Sequence, residues 1–355
     1  MMQPWIQYDD GIEVEQPNEA AQIAAIVASM GRVGGAVFDQ HRHALRNAHA
    51  KSHGILTGVL TVRPDLPQEL TQGIFKAGRQ YEVVARLSSA PGNMHADGER
   101  TVKGFALKVI GVEGAGTQDF VMANLPILPF GTVVAYLAFQ RDMEERVARK
   151  ETAAVVVPEI ANAAAVVLEA VGLPSRTLEA LGATAHHILG ETFHTMAALR
   201  FGDYVAKVSV APESENVTAL TGQAVEIGEG DSVYRDLVVD FFRRQGAAYT
   251  LRVQMCLDLE KMPVEDASVE WSSEESPFLA LGTVWFPVQE AYSPGRRVYG
   301  DDVLSFNPWR GVAAHRPLGS IMRSRKAAYE ASTRFRHEMN VRERVEPVSL
   351  LDVPA

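Results

Sequence analysis

The most informative segment of this chain is the stretch Pro317-Leu-Gly-Ser-Ile-Met-Arg-Ser-Arg-Lys-Ala-Ala-Tyr-Glu-Ala-Ser-Thr-Arg-Phe-Arg-His-Glu-Met-Asn340. Alanine-rich turns and the absence of a breaker after Gly319 predict a helix over about 317–340. Arg325 and Tyr329 would share one face of this helix, and Arg336 returns near that face two turns later. A guanidinium next to a phenol favours the phenolate, which can ligate ferric iron. Basic residues on an amphipathic helix are, however, more often only a solvated face, so other segments must decide.

Composition favours a soluble globular protein. The chain has 355 residues, of which 46% are hydrophobic and 22% charged, enough for one large domain or two ordinary ones. Its formal net charge of −10 argues against nucleic acid or an anionic membrane as a partner. Cys256 is the one cysteine, which excludes a disulfide framework and a thiolate metal cluster. We see no apolar stretch long enough to span a bilayer and no signal peptide, and therefore expect a cytoplasmic protein without membrane insertion.

Predicted strands and helices follow one another in blocks. An extended arm over 1–15 precedes a helix from Pro17 to Met30. Runs rich in β-branched and apolar residues predict strands at 54–64, 80–89, 103–112, 118–123, 204–211, 248–258 and 279–288. Helical periodicity predicts an inserted block of helices over 135–150, 158–171 and from 175. This order indicates an α+β fold with a largely antiparallel sheet, and the absence of a glycine-rich phosphate loop argues against a dinucleotide-binding fold.

A second informative segment is Phe38-Asp-Gln-His-Arg-His-Ala-Leu-Arg-Asn-Ala-His-Ala-Lys-Ser-His-Gly54, which contains four histidines. Two of them, His41 and His43, would point to one face of a strand. No cysteine or clustered carboxylate completes a ligand spacing typical of a metal ion, so the pattern does not favour a non-haem metal site.

This segment resembles the distal-histidine motif of the monofunctional haem catalases and their catalase-related peroxidase relatives. It matches that motif without a gap from Phe38 through Arg46 to His49-Ala-Lys51, with Ser52 in place of the family's glycine. Further matches follow in the family's order: Val84-Ala-Arg-Leu-Ser-Ser89, Val102-Lys-Gly-Phe-Ala-Leu-Lys108, Asp119-Phe-Val-Met-Ala-Asn-Leu-Pro126, Leu304-Ser-Phe-Asn-Pro308 and Arg325-x-x-x-Tyr329. Each match alone is weak or moderate, but their shared order over residues 38–340 is specific.

The resemblance implies a fold and a division of the chain. The fold would be α+β: a catalase-like antiparallel β-barrel with an inserted helical block and a C-terminal proximal helix. Residues 1–35 would form an N-terminal arm and helix, and 341–355 a C-terminal tail. The haem-binding core would cover 36–340, with the barrel over about 50–290 and the proximal helix over about 317–340.

On the distal side, the resemblance implies three catalytic residues. His49 would act as the acid and base, Asn124 would orient the peroxide, and Ser88 would hydrogen-bond to His49. Arg86 and Ser88 are two positions apart on a predicted strand, so their side chains would face the same pocket.

On the proximal side, the resemblance implies that Tyr329 is the axial ligand of a ferric haem b, bound as the phenolate. Arg325 would support that phenolate from the preceding turn of the helix. Arg46, Arg86 and Arg336 would bind the haem propionates through charge-assisted hydrogen bonds.

The sequence departs from the family pattern at further positions besides Ser52. Ala327 and Ala331 replace the phenylalanine and the aspartate that flank the family's proximal tyrosine, and a pair of asparagines is reduced to Ala123-Asn124. The chain also ends soon after the predicted proximal helix. We therefore expect that the C-terminal helical domain of full-length catalases is missing and that the approach to the distal pocket is shorter and wider.

These departures favour a haem-dependent peroxidase that reduces organic hydroperoxides or hydrogen peroxide with a small organic reductant. The alternatives are a catalase that dismutates hydrogen peroxide, an enzyme that transforms fatty-acid hydroperoxides, and a non-catalytic haem-binding protein. The last is disfavoured because a carrier needs only the proximal residues, whereas His49 and Asn124 are present as well. We expect a homodimer or another homo-oligomer.

Overall fold

A computed structural model describes residues 5–98, 101–148, 185–227 and 232–355 of the protein. The strands are β1 Ser52–Val62, β2 Gln80–Ser89, β3 Lys103–Val112, β4 Gly116–Ala123, β5 Phe193–His194, β6 Leu199–Phe201, β7 Tyr204–Pro212, β8 Ala247–Met255 and β9 Leu279–Phe286. The α-helices are α1 Glu19–His41, α2 Val133–Ala148, α3 Glu215–Thr218, α4 Val233–Phe242, α5 Pro294–Val298 and α6 Ser320–Met339. A π-helical turn, Tyr299–Val303, follows α5 directly.

The strands close into an antiparallel barrel. They pair in the order β5-β4-β3-β2-β1-β9-β8-β7-β6, and β5 pairs with β7 as well as with β4. Eight strands therefore form a closed ring, from which β6 extends as the hairpin partner of β7. The predicted α+β fold with an antiparallel barrel is confirmed.

Alternation along the strands gives the barrel two different faces. The inner face is apolar and aromatic, and its core includes Val83, Ala85, Leu87, Phe105, Leu107, Val109, Phe120, Met122, Tyr249 and Phe286. An eight-stranded barrel is just wide enough to be filled by such side chains. The residues between them on β2 to β4 point to the outer face, where Val84 and Ile110 pack under the segment that carries Leu304 and Phe306. The inside of the barrel is thus a core, and any binding site on these strands must lie outside it.

Helices and the N-terminal arm cover part of the outer face. Helices α1, α2 and α6 contact one another. Arg323 in the first turn of α6 forms ion pairs with Glu13 of the arm, Glu19 of α1 and Glu265. These pairs fix the start of α6, and hence the register of the residues that follow it, relative to the arm and α1.

The first helix is longer than predicted. It continues past Met30 to His41 and ends where Arg42 adopts a left-handed conformation, with φ 53°. The prediction that His41 and His43 lie on one face of a strand is therefore wrong. The helix continues because it packs against α2 and α6. A Cβ on Gly34 would lie 3.1 Å from the side chain of Asn47, so glycine permits a close approach of that loop residue.

This helix also corrects an expectation about membranes. By length and composition alone, α1 is apolar enough to cross a bilayer, with a mean hydropathy of 1.4. The expectation that no stretch reaches this length and apolarity is wrong, and only 11% of the apolar window is buried. In this fold α1 packs against α2 and α6.

Several shorter elements were not predicted. Strands β5 and β6 and helices α3 and α5 have too few residues to show a periodic pattern. Helix α4 has ten residues, with Tyr234, Val238 and Phe241 on its buried face, and the sequence analysis missed it. The helix predicted over 135–150 is observed as α2. The helices predicted over 158–171 and from 175 lie outside the described residues.

Candidate active site

The site begins with a row of three small residues on the outer face of the barrel. Ser88 of β2 pairs with Gly104 of β3, which pairs with Ala123 of β4. His49, just before β1, lies against this row with its Nδ1 3.1 Å from Ser88 Oγ. A Cβ on Gly104 would lie 2.5 Å from the same nitrogen, so only glycine lets the imidazole approach the sheet this closely.

The backbone of His49 is held as firmly as its ring. The residue is left-handed, with φ 56°, its N–H donates to the Ala90 carbonyl over 2.8 Å, and its carbonyl accepts from Arg86 Nη1 over 2.9 Å. Desolvation, then the charges of Arg86 and Arg325, lower the pKa of the imidazole to about 3. The ring is therefore neutral at pH 7 and able to accept a proton.

Asn124 does not join this row. Its side-chain Oδ1 accepts from the backbone N–H of Lys103 over 2.8 Å, and its side chain also hydrogen-bonds to Glu191. The residue that pairs with Gly104, and so shares its face of the sheet, is the buried Ala123. The catalytic role of Asn124 stays a prediction, and the structure shows its amide engaged with Lys103 and Glu191.

Tyr329 and Arg325 form a hydrogen-bonded pair on α6. Arg325 Nη2 donates to Tyr329 Oη over 2.6 Å, and Nη1 contacts Met322 Sδ at 3.4 Å. A cationic donor at this distance complements a negatively charged oxygen. Because the charge of Arg325 also acts on His49, this face of α6 is directed toward the distal residues.

The structure brings Arg46, Arg86 and Arg336 together from three distant segments. Arg46 Nη1 and Arg336 Nη1 each donate to the carbonyl of Asp301 over 2.8 Å. Burial, with the repulsion of the other two guanidiniums, lowers the pKa of Arg46 well below its usual range. Burial and the charge of Arg86 lower the pKa of Arg336 to about 10. Positive charge is crowded here, and a bound anion would stabilise it.

Asp301 belongs to this cluster but was missed by the sequence analysis. Its carboxylate accepts from Arg86 Nη2 over 2.9 Å, lies 3.6 Å from Arg46 Nη1, and accepts from Ser52 Oγ over 2.8 Å. In the sequence it is one of two adjacent aspartates in a loop, a pattern with no functional signature. Only the fold shows that it neutralises part of the charge of the arginines.

The residues around this outer face fit a haem. Next to the row that His49 covers lies a second row, in which Arg86 pairs with Ala106 and Ala106 with Val121. Ala106 and Val121 are small, apolar and partly exposed, so they form a flat floor suited to an apolar macrocycle. The arginine cluster suits the propionates, and the Tyr329 oxygen suits a ferric iron. Two small openings flank this region, the first beside Val121 and Met322 and the second beside Ala328 and Ser332.

Comparison with known sequences points to one family. The family model described as Catalase matches residues 33–287, more than half of the chain. A catalase from Staphylococcus saprophyticus is 39% identical over 95 residues, which are 26% of this chain and 19% of that protein. A catalase from Aliivibrio fischeri is 24% identical over 330 residues, which are 85% of this chain and 64% of that protein. The chain thus spans less than two thirds of the length of these relatives.

Solved structures show the same fold. Catalase A from Saccharomyces cerevisiae superposes with a TM-score of 0.59 at 16% identity, covering 95% of this chain and 70% of that one. A fungal catalase superposes with a TM-score of 0.58 at 17% identity, covering 87% and 64%. Since the family model covers most of the barrel and the barrel itself is shared, the chain belongs to the catalase family.

Proposed function

We propose that the protein is a haem b-dependent peroxidase that reduces organic hydroperoxides or hydrogen peroxide with a small organic reductant. One observation carries this proposal. On the outer face of the barrel, a neutral His49 that is hydrogen-bonded to Ser88 lies next to the small residues Gly104 and Ala123. This arrangement sets a proton acceptor beside small apolar residues. It therefore favours a hydroperoxide that carries an organic group.

The distal residues would move one proton. His49 is neutral at pH 7, because its pKa is lowered to about 3. A neutral ring has a nitrogen that can take the proton of the hydroperoxide and return it to the departing oxygen. The hydrogen bond with Ser88 Oγ keeps the ring oriented for both transfers. Proton return makes the departing group a neutral alcohol or water rather than an anion.

The proximal residues would hold the cofactor. Tyr329 would ligate the iron through its phenol oxygen, and Arg325 would stabilise negative charge on that oxygen. Arg46, Arg86 and Arg336 would hold the propionates, and Asp301 would neutralise part of the charge of the guanidiniums. When bound, the haem supplies the redox chemistry of peroxide reduction.

Dismutation of hydrogen peroxide is a second candidate, which family membership supports equally well. The two activities differ in what the wall beside His49 must do. A small, polar peroxide gains from a side-chain amide that orients it, whereas an organic group gains from apolar contact. With Ala123 at this position and Asn124 hydrogen-bonded to Lys103, the wall favours the organic substrate.

The decisive experiment is an absorbance spectrum of the haem-reconstituted protein, recorded for the parent and for Tyr329→Phe. We expect a high-spin ferric spectrum with tyrosinate ligation in the parent and its loss in the variant. Tyr204→Phe, at the opposite side of the barrel, is the matched control and should keep the parent spectrum. A spectrum indifferent to Tyr329 would contradict the assignment of the ligand.

The choice between the two activities is tested with Ala123→Asn. An amide at this position should raise oxygen release from hydrogen peroxide and lower turnover of cumene hydroperoxide with an organic reductant. The parent should prefer the organic substrate. Faster oxygen release than organic turnover in the parent would favour the dismutating catalase.

We further propose that the protein acts in the cytoplasm as a homodimer or another homo-oligomer. The net charge of −10 supports a soluble assembly. Sedimentation of the haem-loaded protein at several concentrations would give the mass of the assembly, and a monomer throughout would contradict this proposal.

A further inference from the structure

We propose that Trp309 is a second oxidation site, at which electron-rich aromatic reductants that carry an anionic group deliver electrons without entering the distal pocket. This inference rests on the proposed peroxidase function and extends it to reductants too large for that pocket. It follows from a continuous series of contacts that joins Trp309 to the predicted iron ligand.

The series runs along one side of α6. Trp309 Nε1 donates to the carbonyl of Met322 over 2.6 Å. Met322 Sδ lies 3.4 Å from Arg325 Nη1, and Arg325 Nη2 donates to Tyr329 Oη over 2.6 Å. Every step is a hydrogen bond, a polar sulfur contact or the covalent frame of one residue, so no gap separates the indole from the phenol.

The residues in this series suit electron transfer. Indole and phenol are the side chains that lose an electron most readily at neutral pH, and a thioether is polarisable. Met322 is buried, whereas Trp309 is partly exposed. The series therefore has one end at the proximal ligand and the other end where a solute can touch it.

A neighbouring charge defines the class of reductant. The ammonium group of Lys326 lies 5.0 Å from the centre of the Trp309 ring, and Lys326 is exposed. A positive charge at this distance attracts anions and repels cations. An aromatic amine or phenol that bears a sulfonate or carboxylate would therefore bind against the indole better than a cationic one.

The electrons and protons balance as follows. A hydroperoxide accepts two electrons and two protons, its O–O bond breaks, and an alcohol and water leave. Two reductant molecules each give up one electron and one proton. Each electron enters at Trp309, whose indole alternates between its neutral form and a radical cation while Nε1 keeps its proton toward the Met322 carbonyl.

The test compares Trp309→Phe with the matched control Trp285→Phe in the haem-loaded protein. Trp285 is 47% exposed and lies on β9, away from α6. One readout is the site of a spin-trap adduct formed after addition of hydroperoxide, mapped by peptide mass spectrometry. The other is the rate of oxidation of a sulfonated aromatic amine and of a small neutral phenol.

We expect the adduct on Trp309 in the parent and in Trp285→Phe, and its loss in Trp309→Phe. Oxidation of the sulfonated amine should fall at least about tenfold in Trp309→Phe, with oxidation of the small phenol unchanged. Met322→Leu should lower the yield of adduct with the indole intact, and Lys326→Gln should raise KM for the sulfonated amine only.

Oxidation of the sulfonated amine at the parent rate in Trp309→Phe would overturn the inference alone, and so would an adduct found only at other residues. A parent protein that consumes no hydroperoxide at all would overturn this inference together with the proposed function. A parent that consumes hydroperoxide with the small phenol but never oxidises the sulfonated amine would leave the proposed function standing and this inference refuted.

Discussion

The inner and outer faces of strands β2 to β4 are made by alternate residues of the same short segments, yet they differ completely in chemistry. Inside, Leu87 and Phe105 pack in a dry core with other aromatic rings. Outside, the neighbours Arg86, Ser88 and Gly104 support an imidazole and a cluster of charges. Stability and chemistry are thus assigned to opposite faces of the same strands.

This difference explains how charged groups can be tolerated in such a small protein. The core needs no polar partner, because its strands satisfy their backbone groups through the closed ring. The outer face can then hold the arginine cluster and an imidazole of lowered pKa, each of which is unfavourable without a ligand. Substitutions on the outer face should therefore change activity, and substitutions on the inner face should change stability.

His49→Ala should have the largest effect on activity. Removal of the proton acceptor is expected to lower kcat/KM for hydroperoxide by about 10²–10⁴, with the melting temperature nearly unchanged because the ring lies outside the core. The matched control is His43→Ala, an exposed residue of the same segment, which should keep the parent activity. Steady-state kinetics and thermal denaturation together test this, and a collapse of stability would break the separation of faces.

Phe105→Ala should have the largest effect on stability. Phe105 is buried and stacks near Phe193, Tyr249 and Phe286, so truncation leaves a cavity and lowers the free energy of unfolding by about 3–5 kcal/mol. Urea unfolding at a temperature where the variant is folded gives the value. Phe105→Leu should cost clearly less, and equal losses for the two variants would argue against a cavity as the cause.

Acid should weaken the fold through histidines on both faces. Burial lowers the pKa of His315, which lies among Phe75, Phe120 and Phe201, to about 4, and that of His49 is about 3. Both values are below the unfolded value of about 6.5, so the unfolded state binds more protons as the pH falls from 6.5 toward 4.

The stability contributed by each of these histidines is therefore present above pH 6.5 and declines by about 1.4 kcal/mol per pH unit below it. Unfolding in urea at several pH values measures the slope. His315→Gln should reduce the slope by the contribution of one proton, about 1.4 kcal/mol per pH unit, and His49→Gln should do the same. A slope unchanged in both variants would show that other groups control the acid transition.

Ser88→Ala should have the smallest effect. Loss of one hydrogen bond of about 0.5–1.5 kcal/mol to the imidazole should lower kcat/KM by about two- to tenfold. Its inner-face neighbour Leu87 provides the contrast, because Leu87→Ala should lower stability and leave kcat/KM of the folded protein unchanged. If the two neighbours behaved alike, alternation would not separate the two roles.

Much of this fold could be predicted from the sequence because strand patterns are local. The runs around Val84 and Phe105 were long enough to show as strands, and the motifs on them carried the site residues. The end of α1 could not be predicted in the same way. Gly31 and Gly34 are normally helix-ending signals, and the packing of α1 against α2 and α6 explains why the helix continues.

The site shows the same limit. His49, Arg86 and Tyr329 stand in recognisable motifs, but Asp301 does not, because its function depends on arginines that are distant in sequence. The direction of the Asn124 side chain could not be predicted from the sequence either. It follows the last residue of β4, where the side-chain alternation of the strand no longer applies and a local hydrogen bond with Lys103 decides.

The barrel should open more easily at the two-residue strand β5 than between its longer strands. One residue pair, Ala123 with His194, joins β5 to β4, and two pairs join it to β7. Backbone amides along this seam should exchange with solvent at a lower free energy than those of β1 or β2. Ala123 also lies in the row of small residues beside His49. Transient opening of the pairs between β5 and its neighbours would therefore move Ala123 relative to His49, while the other strands of the barrel stay paired. The pocket can thus adjust to substrates of different size without unfolding of the protein.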